Sequence, residues 1–171
     1  MMDPLAQQIK QAAYLEGEFT LRSGKKSNYY LDKYLFETQP KILEELAKRF
    51  SEYVGPEVDL IAGAELGGVP LATAVALHTQ KPFLIVRNRK KDYGTAKPYE
   101  GQDPKGKSVL VVEDIVTTAG QVIEAAQALT ELGARVVRIV AVIDREEGGR
   151  ENIENAGFAF ESIFTKTDLG I

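Results

Sequence analysis

The chain has 171 residues, 44% apolar and 27% charged, with a formal net charge of −4; these are ordinary values for a soluble globular domain long enough to bury a substantial core. There is no cysteine, and His78 is the one histidine, which excludes disulfides, thiolate metal sites and cysteine nucleophiles and disfavours a Ser-His-Asp triad or a multi-histidine metal centre. No apolar run approaches the ~20 residues a membrane-spanning helix needs, the N-terminal residues hold no signal-peptide core, and the negative charge gives no general reason to expect nucleic acid. No membrane, no nucleic acid and a cytoplasmic location are the resulting expectations.

Leu5, Ile9, Ala12 and Ala13 recur at helical spacing, which predicts a short amphipathic helix over 4–15. Phe19 to Asp32 carries Ser-Gly and Ser-Asn pairs between short β-prone runs, the mark of a hairpin. Ile42, Leu43, Leu46, Ala47 and Phe50 predict a second amphipathic helix. From Asp59 onward strands and helices alternate. Strands are expected over 59–62, 83–86, 108–112, 136–143 and 158–164, and helices over 68–78, 121–132 and 153–156. His78 falls at the end of the 68–78 helix, where a cation favours the dipole. Runs such as Val-Val-Arg-Ile-Val-Ala-Val-Ile suit strands covered on both faces. The fold class is therefore α/β, a mainly parallel central sheet flanked by helices. One domain, 1–171, is expected, with 59–171 as the core sheet and 1–40 as an appendage too short to bury a core alone.

Ligands of such sheets bind beyond the carboxyl ends of the strands. Four segments are expected there. The first is Gly63-Ala-Glu-Leu-Gly67. The second is Arg87 with the polar stretch 88–107, too long for an ordinary connection and read as a functional loop. Arg87, Arg89, Lys90, Lys91 and Lys97 against Asp92 give its first part a local charge of +4. The third is the most informative stretch, Val109-Leu-Val-Val-Glu-Asp-Ile-Val-Thr-Thr-Ala-Gly-Gln121. It is read as a buried strand that ends on Glu113 and Asp114, followed by a turn whose amides converge before a helix. Carboxylates accept hydrogen bonds from vicinal hydroxyls, and loop amides at a helix N-terminus hold a phosphate, so the pattern suits a sugar phosphate. The fourth is Asp144-Arg145, where Arg145 either meets a ligand carboxylate or pairs with Asp144 or Glu146. Tyr29 and Tyr30 are either site residues or hairpin packing.

The 109–121 stretch resembles the 5-phosphoribosyl 1-diphosphate (PRPP) motif of type I phosphoribosyltransferases. Phe19-Thr-Leu-Arg-Ser-Gly-Lys-Lys-Ser-Asn-Tyr-Tyr30, Gly63-Ala-Glu-Leu-Gly-Gly-Val-Pro-Leu-Ala72, Lys91-Asp-Tyr-Gly94 and Asp144-Arg-Glu-Glu-Gly-Gly149 narrow the resemblance to the orotate phosphoribosyltransferases, and it spans nearly the whole chain. The resemblance implies a type I phosphoribosyltransferase fold whose N-terminal helix and hairpin form a small hood. It also implies transfer from PRPP to orotate with Mg²⁺, the ion held mainly by PRPP oxygens and water and not directly by the protein. Carried over by position, Glu113 and Asp114 would hold the ribose hydroxyls and Thr117, Thr118, Ala119, Gly120 and Gln121 the 5′-phosphate. Ala64 and Glu65 would form the pyrophosphate-side loop. Arg87, Lys91 and Tyr93 would serve the PRPP side, with Lys91 as a catalytic residue beside Glu113 and Asp114. Arg22, Tyr29, Tyr30, Thr117 and Arg145 would serve orotate. A homodimer, with the 87–97 loop reaching the partner's site, is implied by the likeness alone.

The sequence departs from the common pattern in places. Arg22 stands where lysine is frequent, Asn88 where a second cation is usual, and Tyr93 where histidine is common. Ala119 replaces a frequent glycine, at a cost of order 1 kcal/mol if its φ is positive, and Gln121 replaces a hydroxyl residue. A phosphoribosyltransferase for another base, and a PRPP-sensing domain without catalysis, are the alternatives. Orotate's carboxylate separates the first, because a purine has no partner for Arg145. Retention of Lys91 and its cationic loop argues against the second.

Overall fold

The computed structural model describes residues 1–21, 24–88, 94 and 96–171. Helix α1 (Pro4–Ala13) begins on Asp3, whose side chain accepts the Leu5 N–H at 2.8 Å. It stops two residues before the expected end because Tyr14 is already paired with Leu31 in the hairpin of β1 (Tyr14–Thr20) and β2 (Lys26–Leu31). A short helix that sequence reading missed follows directly, α2 (Lys33–Glu37), capped by Asp32 onto Tyr34 N–H. Helix α3 (Pro40–Ser51) turns its buried stripe of Ile42, Leu46, Ala47 and Phe50 inward.

The rest alternates as expected: β3 (Leu60–Ala64), α4 (Gly68–Thr79), β4 (Phe83–Val86), β5 (Tyr99–Gly101), β6 (Ser108–Val116), α5 (Gly120–Glu131), β7 (Arg135–Asp144), α6 (Gly149–Asn155) and β8 (Phe160–Thr165). Among the described residues these strands form one six-stranded sheet in the order β5-β4-β3-β6-β7-β8, parallel but for the antiparallel edge pair β4–β5. Two expectations need correcting. The polar stretch 88–107 is not all loop, since β5 lies in it. And β6 does not end before the acids: it runs to Val116, with Val116 paired to Asp144 of β7, so Glu113 and Asp114 stand within the strand.

Alternation along the strands splits the core into two layers. Ile61, Leu110, Val112, Val140 and Val142 face Ile9, Phe36, Phe50 and Leu71 of the first four helices. Leu60, Ala62, Val109, Val111, Ile139 and Ala141 face Val122, Ala126 and Leu129 of α5 and Ile153 of α6. Strands covered on both faces need apolar residues at every position, which is what the uninterrupted apolar runs supplied. The chain leaves β3 for β4 on one side and resumes at β6 on the other. The strand-order switch therefore lies between the carboxyl ends of β3 and β6, where a crevice opens in sheets of this kind.

Candidate active site

Close backbone packing shapes the β3 side of the switch. A Cβ on Gly63 would lie 2.1 Å from the Gly68 carbonyl oxygen, and one on Gly67 1.7 Å from Asp114 Oδ2. Only glycines let α4 start this near the strand and let Asp114 reach across to it. Past Ala64, the Glu65 N–H donates to the Val86 carbonyl at 2.9 Å, and its carboxylate accepts the Asn88 N–H at 3.1 Å and meets Arg87 Nη1 at 3.4 Å. Arg87 also reaches Glu100 at 3.5 Å, while its Nε is buried without a hydrogen-bond partner. Lys91 and Tyr93, like Arg22 of the hairpin, lie outside the described residues.

On β6 the two acids differ because neighbouring strand residues point to opposite faces. Asp114 is 2% exposed. Its Oδ1 accepts the Ile115 N–H, and its Oδ2 meets Lys33 Nζ at 3.0 Å. Glu113 is partly exposed and accepts the Asp114 N–H at 2.9 Å. Burial and then the adjoining Asp114 carboxylate push the Glu113 carboxyl above the usual carboxylate range. Beneath them Glu37 of α2 is 1% exposed, with no hydrogen-bond partner for either oxygen. Burial first, and then the Asp114 charge, push it up to about 9. Burial opposes the Lys33 charge, but Asp114, with smaller contributions from Tyr34 and Glu113, raises the lysine on balance.

The turn after β6 leads into α5 through Ala119, which adopts φ 69° and ψ 10°, the left-handed region. No side chain caps α5, so its leading N–H groups are offered to whatever anion lies at that end. The turn is braced from the end of β7 and from α6: Arg145 N–H donates to the Val116 carbonyl at 2.9 Å, and Asn152 Nδ2 donates to the Thr118 carbonyl at 3.0 Å. Thr117 is partly exposed, and Thr118, Gly120 and Gln121 are exposed.

Arg145 is where hairpin and sheet meet. Its Nη2 donates to Tyr29 Oη at 3.0 Å and pairs with Glu147 at 3.1 Å, its guanidinium lies 5.6 Å from the Tyr29 ring centre, and its Nε is buried and unpartnered. The ion-pair partner is thus Glu147, not Asp144 or Glu146. Tyr29 stacks on Tyr14 at 5.5 Å. Tyr30 falls on the opposite face of β2, packs on Phe19 at 5.6 Å and is 44% exposed, so the structure brings Tyr29 but not Tyr30 to Arg145. Sequence reading missed Lys33 and Glu37. The available signal was an acid set against the apolar Leu35 and Phe36, with a lysine one helical turn before it.

Buried acids beside an uncapped helix start, with guanidiniums on the flanking loops, can hold a phosphorylated sugar and disperse the charge of an anionic leaving group. In keeping with this, residues 36–169 match the family model of the phosphoribosyl transferase domain, and the chain is a phosphoribosyltransferase. It is 51% identical over 156 residues to an orotate phosphoribosyltransferase of Pyrococcus abyssi, an alignment covering 90% of this chain and 86% of that one. The crystal structure of Mycobacterium tuberculosis orotate phosphoribosyltransferase with Fe(III) dicitrate superposes with a TM-score of 0.88 at 30% identity, covering 98% of this chain and 97% of that one. The same enzyme in complex with PRPP gives 0.83 at 29% identity, with coverage of 98% and 97%. The chain belongs to the orotate phosphoribosyltransferase family of pentosyltransferases. Among its described residues no helix is long and apolar enough to cross a membrane.

Proposed function

We propose that this chain transfers the 5-phosphoribosyl group of PRPP to orotate, giving orotidine 5′-monophosphate and pyrophosphate, as a single-domain cytoplasmic enzyme. Glu113 and Asp114 accept the ribose hydroxyls. Thr117, Thr118, Ala119, Gly120 and Gln121, at the start of α5, cradle the 5′-phosphate. Ala64 and Glu65 line the pyrophosphate side, where Arg87 is joined by Lys91 and Tyr93. Arg145 and Thr117 hold orotate beside Tyr29, with Arg22 reaching in from the hairpin; Tyr30, on the other face of β2, is left out of this reading. Departure of pyrophosphate leaves positive charge on the ribose and negative charge on the leaving group, so the work is positioning and electrostatic stabilisation, and no nucleophilic side chain is needed.

Mg²⁺ is the proposed cofactor, carried on the diphosphate with water, the usual habit of that ion. Bound there, it would offset the phosphate charge. A homodimer in which the 87–97 loop reaches the partner's site completes the reading.

One observation carries the orotate assignment. Arg145 is pinned between the hairpin and the sheet with a buried, unused Nε. Its present ion-pair partner Glu147 is 43% exposed, and a pair so wet is weak enough for a ligand carboxylate to displace. Losing a charge-assisted hydrogen bond costs about 1.5–3 kcal/mol, or roughly 10–100-fold. Steady-state kinetics of Arg145→Ala should therefore show the KM for orotate raised at least about tenfold and the KM for PRPP within about threefold of the parent. An unchanged KM for orotate would remove Arg145 from the orotate site.

A further inference from the structure

Asp114 is held from three sides. Its Oδ1 takes the Ile115 N–H, its Oδ2 lies against the Cα of Gly67 where any side chain would collide, and Lys33 Nζ stands 3.0 Å from that same oxygen. The lysine is half-buried at 35% exposure and the aspartate nearly fully buried at 3%, so the pair is screened far less than a surface pair. Removing one partner of such a pair leaves an uncompensated buried charge. An ionised carboxylate has about four acceptor positions; the two protein donors leave room for vicinal hydroxyls.

We propose that Lys33 is a positioning residue for the transfer: its ammonium holds the Asp114 carboxylate against Gly67, aimed for the ribose hydroxyls of PRPP. This rests on the reading of Asp114 given above. Glu37, four residues on from Lys33 in α2, strengthens the arrangement. Burial keeps its carboxyl protonated at neutral pH, so it does not compete with Asp114 for the lysine. Among the described residues, the charged and titratable groups that meet in this cluster are Lys33, Tyr34 and Glu37 from α2 and Glu113 and Asp114 from β6. Helix α2 follows β2 directly, so the strand that carries Tyr29 to Arg145 also delivers Lys33 to Asp114.

The test uses the full chain as Lys33→Ala, Lys33→Arg, Asp114→Asn and the Lys33→Ala/Asp114→Asn double variant. Readouts are kcat, the KM values for PRPP and orotate, and PRPP binding by calorimetry with Mg²⁺. Lys33→Ala should raise the KM and Kd for PRPP about tenfold and leave the KM for orotate within twofold. Lys33→Arg should restore PRPP use to within about threefold, and on the Asp114→Asn background the alanine should add less than twofold, since the lysine acts through the aspartate. PRPP binding by Lys33→Ala within twofold of the parent, or its full loss recurring on the Asp114→Asn background, overturns the proposal. A purely structural role would lower Tm and leave both KM values in place, and this also overturns it. If Lys33→Ala does not fold, Lys33→Met keeps the aliphatic stem and takes its place. Should the parent form no product from orotate, the reaction reading fails, while PRPP calorimetry on the same variants still decides the role of Lys33.

Discussion

Ala119 shows how a single alanine holds a left-handed turn without losing the fold. Its φ of 69° costs an L-residue of order 1–2 kcal/mol relative to glycine. The residue is 8% exposed and its methyl packs in the core layer beneath α5, which returns about 0.8 kcal/mol. Burial thus offsets part of the strain, and alanine is tolerated in a conformation that favours glycine. Glu37 belongs to the same scale and has a pH signature. Its folded value of about 9 lies above the ordinary 4.5, so the folded chain keeps a proton that the unfolded chain releases. The stability this contributes is full below about pH 4.5 and is lost progressively as pH rises towards 9. Gln has the same shape and never ionises. In thermal melts from about pH 5 to 9, Glu37→Gln should therefore hold its Tm better than the parent, with the gap widening as pH rises by about 2–4 °C for each kcal/mol recovered. Parallel Tm curves would show that Glu37 ionises freely in the folded protein.

At the scale of elements, the β3–α4 crossing is the tightest feature of the site. The Gly63→Ala Cβ would meet backbone atoms of Gly68 at 2.1 Å, and backbone cannot swing aside as a side chain can, so strand and helix must separate. Overpacking of this kind costs about 1–3 kcal/mol or more. Gly120→Ala, whose Cβ meets nothing within 4 Å at the start of α5, should change stability by less than about 1 kcal/mol. Chemical denaturation of the two variants checks this, and equal losses would contradict the close-approach argument.

The elements also show what the sequence made legible. The long strands β6 and β7, of nine and ten residues, and helices α3 to α5 stood out because their apolar pattern accumulates over their length. Strand β5 and helix α2, at three and five residues, are too short to carry a period. The extension of β6 to Val116 was hidden because Glu113 and Asp114 look like the polar end of a strand; the partner that keeps them in the ladder, β7, is distant in sequence.

Over the whole molecule, the site assembles because the strand order reverses between β3 and β6, bringing Glu65, Asp114 and the start of α5 to one edge while the hairpin adds Tyr29 over Arg145. Asp114, Tyr29 and Arg145 were visible as motif residues, and Lys33 was not. The pairings Lys33–Asp114 and Tyr29–Arg145 were hidden as well, because they join segments far apart in the chain, and no local pattern encodes such a contact. The central claim, transfer to orotate, is tested most directly by measuring pyrophosphate release from PRPP and Mg²⁺ by the full chain with orotate, uracil or adenine as acceptor. Turnover with orotate, giving orotidine 5′-monophosphate, and none with uracil or adenine is the expected result; turnover with adenine but not with orotate would contradict it.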